Sequence, residues 1–237
     1  MKKKYLLITI SAIAIVMAAY YPVKKIIGKT DFMSNWGKVL SDDSKDKTSV
    51  SQKQSSTKYK LFINADNSDN IIYAEDIFEA GNDVLITNQE IQIAKDFFVL
   101  QGQSEKDATQ AAVKYVEEYN AMYVEAVNKG YDVTEKEIDE YISDLKAMTM
   151  QAENAEDVKK VIAQFDSEDE YWNYQKIICQ KQLPVQKYVK SLEEKYLNNE
   201  DIAAWNDELN KIKEEASKKQ QYKKVDSINK IDKKFIY

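Results

Sequence analysis

Three predicted helix starts in this chain each have a threonine or serine followed by a glutamate three positions later. The pairs are Thr87 with Glu90, Thr134 with Glu137, and Ser167 with Glu170. At this spacing the hydroxyl and the carboxylate each accept a hydrogen bond from an amide that the first helical turn leaves without a partner. Gly102 and Gly130 stand where two of the helices should end, because glycine adopts a left-handed backbone at little cost. The pattern predicts a mainly α fold.

Apolar residues recur at helical spacing after each of these starts. The predicted helices run from Thr87 to near Gly102, from Ser104, from Thr134, over a shorter stretch around 158–165, from Glu168, and from Glu200 to about Ser217. Before Thr87, β-leaning runs at Tyr59–Ile63 and Ile71–Tyr73 have turn residues between them. They predict one or two short strands ahead of the first helix.

The sequence around the helix starts contains three motifs that resemble those of a known protein family. The phrases "ITNQEI", "AVNKGYDVTEKEIDEYI" and "SEDEYW" occur in this order between Ile86 and Trp172. Together they resemble the helical chaperone region of the SurA, PrsA and trigger-factor group of extracytoplasmic foldases, over Asp83 to Tyr196. The resemblance implies a helical domain like the N-terminal domain of SurA, with a final helix that returns onto the first ones. It also implies that apolar grooves between the helices hold unfolded polypeptides without a cofactor.

Within that group, SurA and PrsA carry parvulin-type prolyl isomerase domains after the helical region. Only 41 residues follow Tyr196 here, and the chain contains no histidine to match the paired histidines of such domains. The resemblance therefore supplies no catalytic residue. We expect no isomerase activity. We interpret the chain as a foldase-like chaperone module that binds polypeptides and lacks the isomerase domain.

The composition also limits the chemistry that the chain can perform. All 34 basic residues are lysine, and the chain contains no histidine. No imidazole is therefore present to serve as a base or a metal ligand. No glycine-rich phosphate loop and no His/Cys cluster is present, and we expect neither a metal nor a cofactor. Residues 61–215 hold 15 lysines against 34 acidic residues. Nucleic acid is a poor partner for such a body, because its binding depends largely on basic side chains that neutralise phosphates.

The N-terminal segment, residues 1–28, is expected to meet a membrane. Three lysines precede an apolar stretch from Tyr5 to Val23, which is long enough to cross a bilayer as a helix. Two interpretations stay open. The segment is an uncleaved single-pass anchor that leaves the body on the extracytoplasmic side of the cell membrane, or it is a cleaved signal and the body is secreted.

The rest of the chain divides by composition. Residues 29–58 are interpreted as a polar linker, because Ser41–Ser56 contains no aromatic residue and a single valine. The helical domain is placed at 59–217. The lysine-rich remainder, 218–237, is interpreted as a basic tail.

Candidate client-binding residues are the apolar ones that lie off the main apolar stripes of two long helices. They are Val113, Val124, Trp172 and Leu183. The expected partners are unfolded or secreted polypeptides. The alternative is a non-catalytic scaffold that binds one dedicated partner in a cell-envelope complex. An open apolar surface between these two helices would favour the chaperone, and a closed core would favour the scaffold. The sequence is compatible with a monomer and with a homodimer.

Overall fold

The computed structural model describes residues 32–49, 58–61, 70–73, 77–149, 151–152, 154–196 and 202–224, and the chain is mainly helical over them. The helices are α1 (Phe32–Ser49), α2 (Asn88–Leu100), α3 (Glu105–Asn128), α4 (Glu135–Thr149), α5 (Ala155–Ile162), α6 (Glu168–Tyr196) and α7 (Ile202–Gln220). The strands are β1 (Lys58–Leu61), β2 (Asn70–Tyr73), β3 (Ile77–Ala80), β4 (Leu85–Thr87) and β5 (Lys223–Lys224). The mainly α prediction is confirmed at this level.

Two of the three predicted capping boxes form completely. At the start of α2, the Glu90 N–H donates to Thr87 Oγ1 at 3.1 Å and the Thr87 N–H donates to Glu90 Oε2 at 2.9 Å. The Thr134 N–H likewise donates to Glu137 Oε2 at 2.8 Å. The α6 start differs, because the carboxylate of Glu170 accepts from the N–H of Asp166 at 2.9 Å. Only the Ser167 hydroxyl half of that box is made, at 3.0 Å.

Both predicted glycine ends are confirmed. The φ angle is 97° at Gly102 and 79° at Gly130. After Gly130, the N–H of Tyr131 donates to the carbonyl of Ala126 at 3.0 Å, while the N–H of Gly130 donates to Val127 at 2.9 Å. This pair of bonds is the Schellman arrangement, which satisfies the last carbonyls of α3 before the chain turns into α4.

Helix α1 lies where the sequence predicted a polar linker over 29–58. Its side chains Phe32, Trp36 and Leu40 are buried in the main core. The prediction treated Ser41–Ser56 as one polar stretch and overlooked these three residues, which precede it at a spacing of four. Spacing of four places them on one helical face, and burying that face offsets the entropy of ordering the polar remainder. The packed body therefore begins before residue 59.

The buried apolar residues form two clusters. The main cluster is built by α1, α2, α4, α5 and the first halves of α3 and α6, with Ile86 of β4. The second cluster joins the last halves of α3 and α6 to α7, and consists of Ala121, Met122, Tyr123, Ala126, Val185, Tyr188 and Ala216. Helix α3 is thus covered on two sides, as its two apolar stripes require. Helix α7 packs back onto α3.

The described strands number more than the one or two expected ahead of α2. Strands β1 and β2 pair antiparallel, with Lys58 opposite Tyr73. A separate antiparallel sheet has the order β4-β3-β5. The extra strands come from the run Ile77–Thr87, where a turn at Gly81 folds β3 back on β4 and the Gly81 N–H donates to Val84 at 2.7 Å.

The end of α7 is fastened to the β3–β4 turn. The N–H of Asn82 donates to the carbonyl of Gln220 at 2.6 Å, and the N–H of Asp83 donates to Gln220 Oε1 at 2.9 Å. A Cβ on Gly81 would lie 2.8 Å from that same Oε1 atom. The predicted basic tail, 218–237, thus begins inside α7 and adds β5 to the sheet.

None of the helices in the described ranges is long and apolar enough to cross a membrane. The predicted membrane segment, Tyr5–Val23, lies outside those ranges.

Candidate functional site

Helix α1 occupies an apolar groove that α2, α5 and α6 form. The ring of Phe97 on α2 meets two α1 rings edge-on, at 5.8 Å from Phe32 and 5.1 Å from Trp36 between centroids. Trp36 is 1 % exposed and Leu40 is fully buried. The groove thus holds a helical segment by side chains at positions i, i+4 and i+8, the spacing by which amphipathic helices bind grooves.

Helix α1 approaches the backbone of α5 closely at Gly37. A Cβ at this position would lie 2.8 Å from the carbonyl oxygen of Val161 and 2.9 Å from its Cα. Both of those atoms are backbone atoms of α5, so they cannot turn aside as a flexible side chain would. A larger residue at position 37 would therefore lift α1 away from α5.

The C-terminal part of α1 is held by polar contacts to α6 and the loop before it. The hydroxyl of Tyr174 donates to Asp43 Oδ2 at 2.6 Å in a buried position. Burial first, and then the charge of Asp43, raise the pKa of Tyr174 well above its usual value. The Ser44 hydroxyl donates to Glu170 Oε1 at 3.1 Å, and Lys45 Nζ lies 3.2 Å from Asp166 Oδ1. This end of the groove is therefore acidic.

A polar layer lies where the two apolar clusters meet. Lys181 on α6 donates to Glu90 Oε1 at 3.0 Å and to Asn120 Oδ1 at 2.5 Å, and Asn120 Nδ2 donates to the carbonyl of Val116 at 2.9 Å. Burial would raise the pKa of Glu90, but the charge of Lys181 and the hydrogen bonds it accepts lower it. The layer joins α2, α3 and α6 through groups that satisfy one another, which suits a structural role.

Two carboxyl groups meet beside the C-terminal strand. Glu79 of β3 is buried, and its Oε2 lies 3.6 Å from Lys224 Nζ of β5. Burial and the neighbouring Glu79 raise the pKa of Glu117 on α3 to about 7. The hydroxyl of Tyr222 donates to the backbone carbonyl of Glu117 at 2.7 Å. The charge of Glu117 therefore changes near neutral pH, beside the strand β5.

Burial shifts the pKa of one thiol and of one lysine amine in the described structure. Burial raises the pKa of Cys179 to about 12, which keeps its sulfur as the unreactive thiol. Burial also lowers the pKa of Lys213 on α7 to about 8, against the opposing charge of Glu118. Across the described residues, no three His, Cys, Asp or Glu side chains are grouped so that they could hold a metal ion.

The four residues predicted to bind clients do not form an exposed surface. Val124, Trp172 and Leu183 are buried, and Val113 is partly buried against the main cluster. The indole N–H of Trp172 donates to Glu168 Oε1 at 2.9 Å. Lying off the main stripe did not imply exposure, because each long helix is covered on more than one side. These residues serve the packed core in this conformation.

The groove and its occupant were missed from the sequence. The available signal was the i, i+4, i+8 spacing of Phe32, Trp36 and Leu40, immediately before the polar run that set the linker assignment. The acidic end was partly visible, since Asp166 and Glu170 flank the recognised start at Ser167.

Comparison of the chain with family models, curated proteins and solved structures gave no match.

Proposed function

We propose that this protein is a non-catalytic, chaperone-type protein that binds unfolded or secreted polypeptides through apolar grooves. The observation that carries the proposal is the groove between α2, α5 and α6, which already holds an amphipathic segment by Phe32, Trp36 and Leu40. Such a groove recognises a pattern of apolar side chains and not one sequence, which suits many unfolded clients. The resemblance to the SurA, PrsA and trigger-factor group supports the same function.

The proposal places the body on the extracytoplasmic side of the cell membrane. The apolar segment ends near Val23, and α1 begins at Phe32. Nine residue steps span at most roughly 30 Å when fully extended. If the segment stays uncleaved, α1 holds the body close to the bilayer, where translocated polypeptides emerge.

The second candidate is a scaffold that binds one dedicated partner in a cell-envelope complex. It is favoured by the burial of Val124 on α3 and of Leu183 on α6, two of the residues predicted to bind clients. Among the described residues, the large apolar side chains on the surface are Met148, Ile177 and Tyr196, and each is about two-fifths exposed. A scaffold needs no further opening, whereas a chaperone must expose a groove.

Chemical crosslinking followed by affinity capture of the full chain separates the two functions. A chaperone should yield many secreted polypeptides in amounts well below one per copy. A scaffold should yield one partner at a constant stoichiometry. Recovery of neither, while the bait remains folded, would contradict both functions.

A further inference from the structure

We propose that the groove under α1 is the polypeptide-binding groove and that α1 is its displaceable intramolecular occupant. The occupant that replaces α1 is an amphipathic helical segment of a client. The inference rests on the proposed function, because it names the site at which that function would be performed. It concerns residues that differ from the four apolar residues singled out in the sequence.

The connectivity of α1 permits this exchange. Helix α1 packs mainly against α2, α5 and α6, and 27 residues separate Ser49 from the start of β3 at Ile77. The strands within that interval, β1 and β2, pair with each other and not with the three-stranded sheet. Helix α1 can therefore leave the groove without pulling a strand out of that sheet.

The stability of α1 as a helix depends on the groove. It has 18 residues, and its first turn contains no acidic side chain to interact with the helix dipole. Most of the stability of a helix in a protein comes from the packing of its apolar face and not from intrinsic helix propensity. Release of α1 from the groove is therefore coupled to loss of the helix, and a client segment must supply equivalent apolar contacts to replace it.

The contacts of α1 define the chemistry of the client segment. It has large apolar side chains at i, i+4 and i+8, as Phe32, Trp36 and Leu40 do, and a small residue at i+5, where Gly37 touches the α5 backbone. It carries a lysine at i+13, where Lys45 meets Asp166. At the same end Asp43 accepts from the hydroxyl of Tyr174, so the groove selects amphipathic segments that carry a hydrogen-bond acceptor at i+11 and a lysine at i+13.

A fluorescent synthetic peptide with the sequence of residues 30–47 tests this assignment. It is titrated, by fluorescence anisotropy, with the full chain in phospholipid nanodiscs as wild type, as Gly37→Leu and as Lys38→Ala. The Gly37→Leu side chain meets the backbone of Val161 and lifts α1, whereas Lys38 is exposed and its replacement leaves α1 docked. We expect Gly37→Leu to bind the peptide at least tenfold more tightly than either of the others. Equal affinities of the three folded proteins would overturn the proposal.

Hydrogen exchange of the wild-type chain gives a second readout that does not depend on a variant. The amides of α1 should exchange at least tenfold faster than the protected amides of α3, because α1 opens without global unfolding. Exchange of α1 at the rate of α3 would show that α1 leaves only when the whole body unfolds, and this would overturn the proposal even if Gly37→Leu fails to fold.

Competition separates this inference from the proposed function. A reduced, carboxymethylated secretory protein serves as a permanently unfolded client. If this client displaces the labelled peptide from Gly37→Leu, the inference is supported. If the client binds the chain without displacing the peptide, the groove assignment fails and the proposed function stands. If the peptide binds but the client does not, the exchange of α1 stands and the proposed function fails.

Discussion

Replacement of Trp36 by alanine tests whether α1 belongs to the folded body. The side chain is 1 % exposed and its ring lies 5.1 Å from that of Phe97. Truncation of a buried tryptophan to alanine costs about 3–5 kcal/mol, because apolar burial is lost and a cavity remains. If residues 32–49 formed a solvated linker, the same change would alter the free energy of unfolding by no more than about 0.5 kcal/mol. The expected loss of unfolding free energy is therefore several-fold larger if α1 is packed in the core than if it is a solvated linker.

Urea unfolding of a fragment that begins at residue 30, followed by far-ultraviolet circular dichroism, measures this difference. With an m value of about 2 kcal/mol/M, a loss of about 4 kcal/mol lowers the unfolding midpoint by about 2 M. Lys38→Ala is the matched control on the exposed face of the same helix and should leave the midpoint unchanged. A Trp36→Ala midpoint within about 0.3 M of the wild type would show that Trp36 is not packed in the core.

Three further changes test other parts of the structure. Because the pKa of Glu117 is raised to about 7, its protonated form favours folding, and stability should fall as pH rises from about 4.5 to about 7. At 1.36 kcal/mol per pH unit, the full shift in pKa would change the unfolding free energy by about 3 kcal/mol, and solvent screening of this half-buried group reduces the change to about 1 kcal/mol. In urea titrations, Glu117→Gln should remove this dependence of the unfolding free energy on pH. The exposed control Glu140→Gln should keep it. Gly81→Ala should lower the unfolding free energy by about 1–3 kcal/mol, because its Cβ would lie 3.0 Å from Gln220 Cβ and from the ring of Tyr222, and 2.8 Å from Gln220 Oε1, which the Asp83 N–H holds; an unchanged midpoint would contradict these contacts. Cys179 should react with a thiol reagent at pH 8 roughly a hundredfold more slowly in the native protein than in urea, and equal rates would contradict its burial.

Local chemistry made most of the helices predictable. The starts at Thr87 and Thr134 and the ends at Gly102 and Gly130 depend on hydrogen bonds between residues only a few positions apart. Such signals are complete within a short window of sequence. The α6 start was less predictable, because Glu170 also accepts from Ser44, which lies 126 positions away.

Tertiary packing explains what the sequence did not predict. The polar residues that follow Leu40 in α1 are ordered because three apolar side chains reach a groove formed by residues far along the chain. The burial of Trp172 and Leu183 depends equally on residues far along the chain, since other helices cover α6 on more than one side. Periodicity shows which residues share a face, but only the packed structure shows which faces are covered.

Aggregation of a denatured model client, followed by light scattering, tests the proposed function most directly. The full chain in nanodiscs is added at a several-fold molar excess over the client, and empty nanodiscs serve as the control. We expect the wild-type chain to reduce the rate of scattering increase at least twofold. Gly37→Leu, whose groove is uncovered, should reduce it further. Aggregation at the rate seen with empty nanodiscs, for both the wild type and a folded Gly37→Leu chain, would contradict the proposed chaperone function.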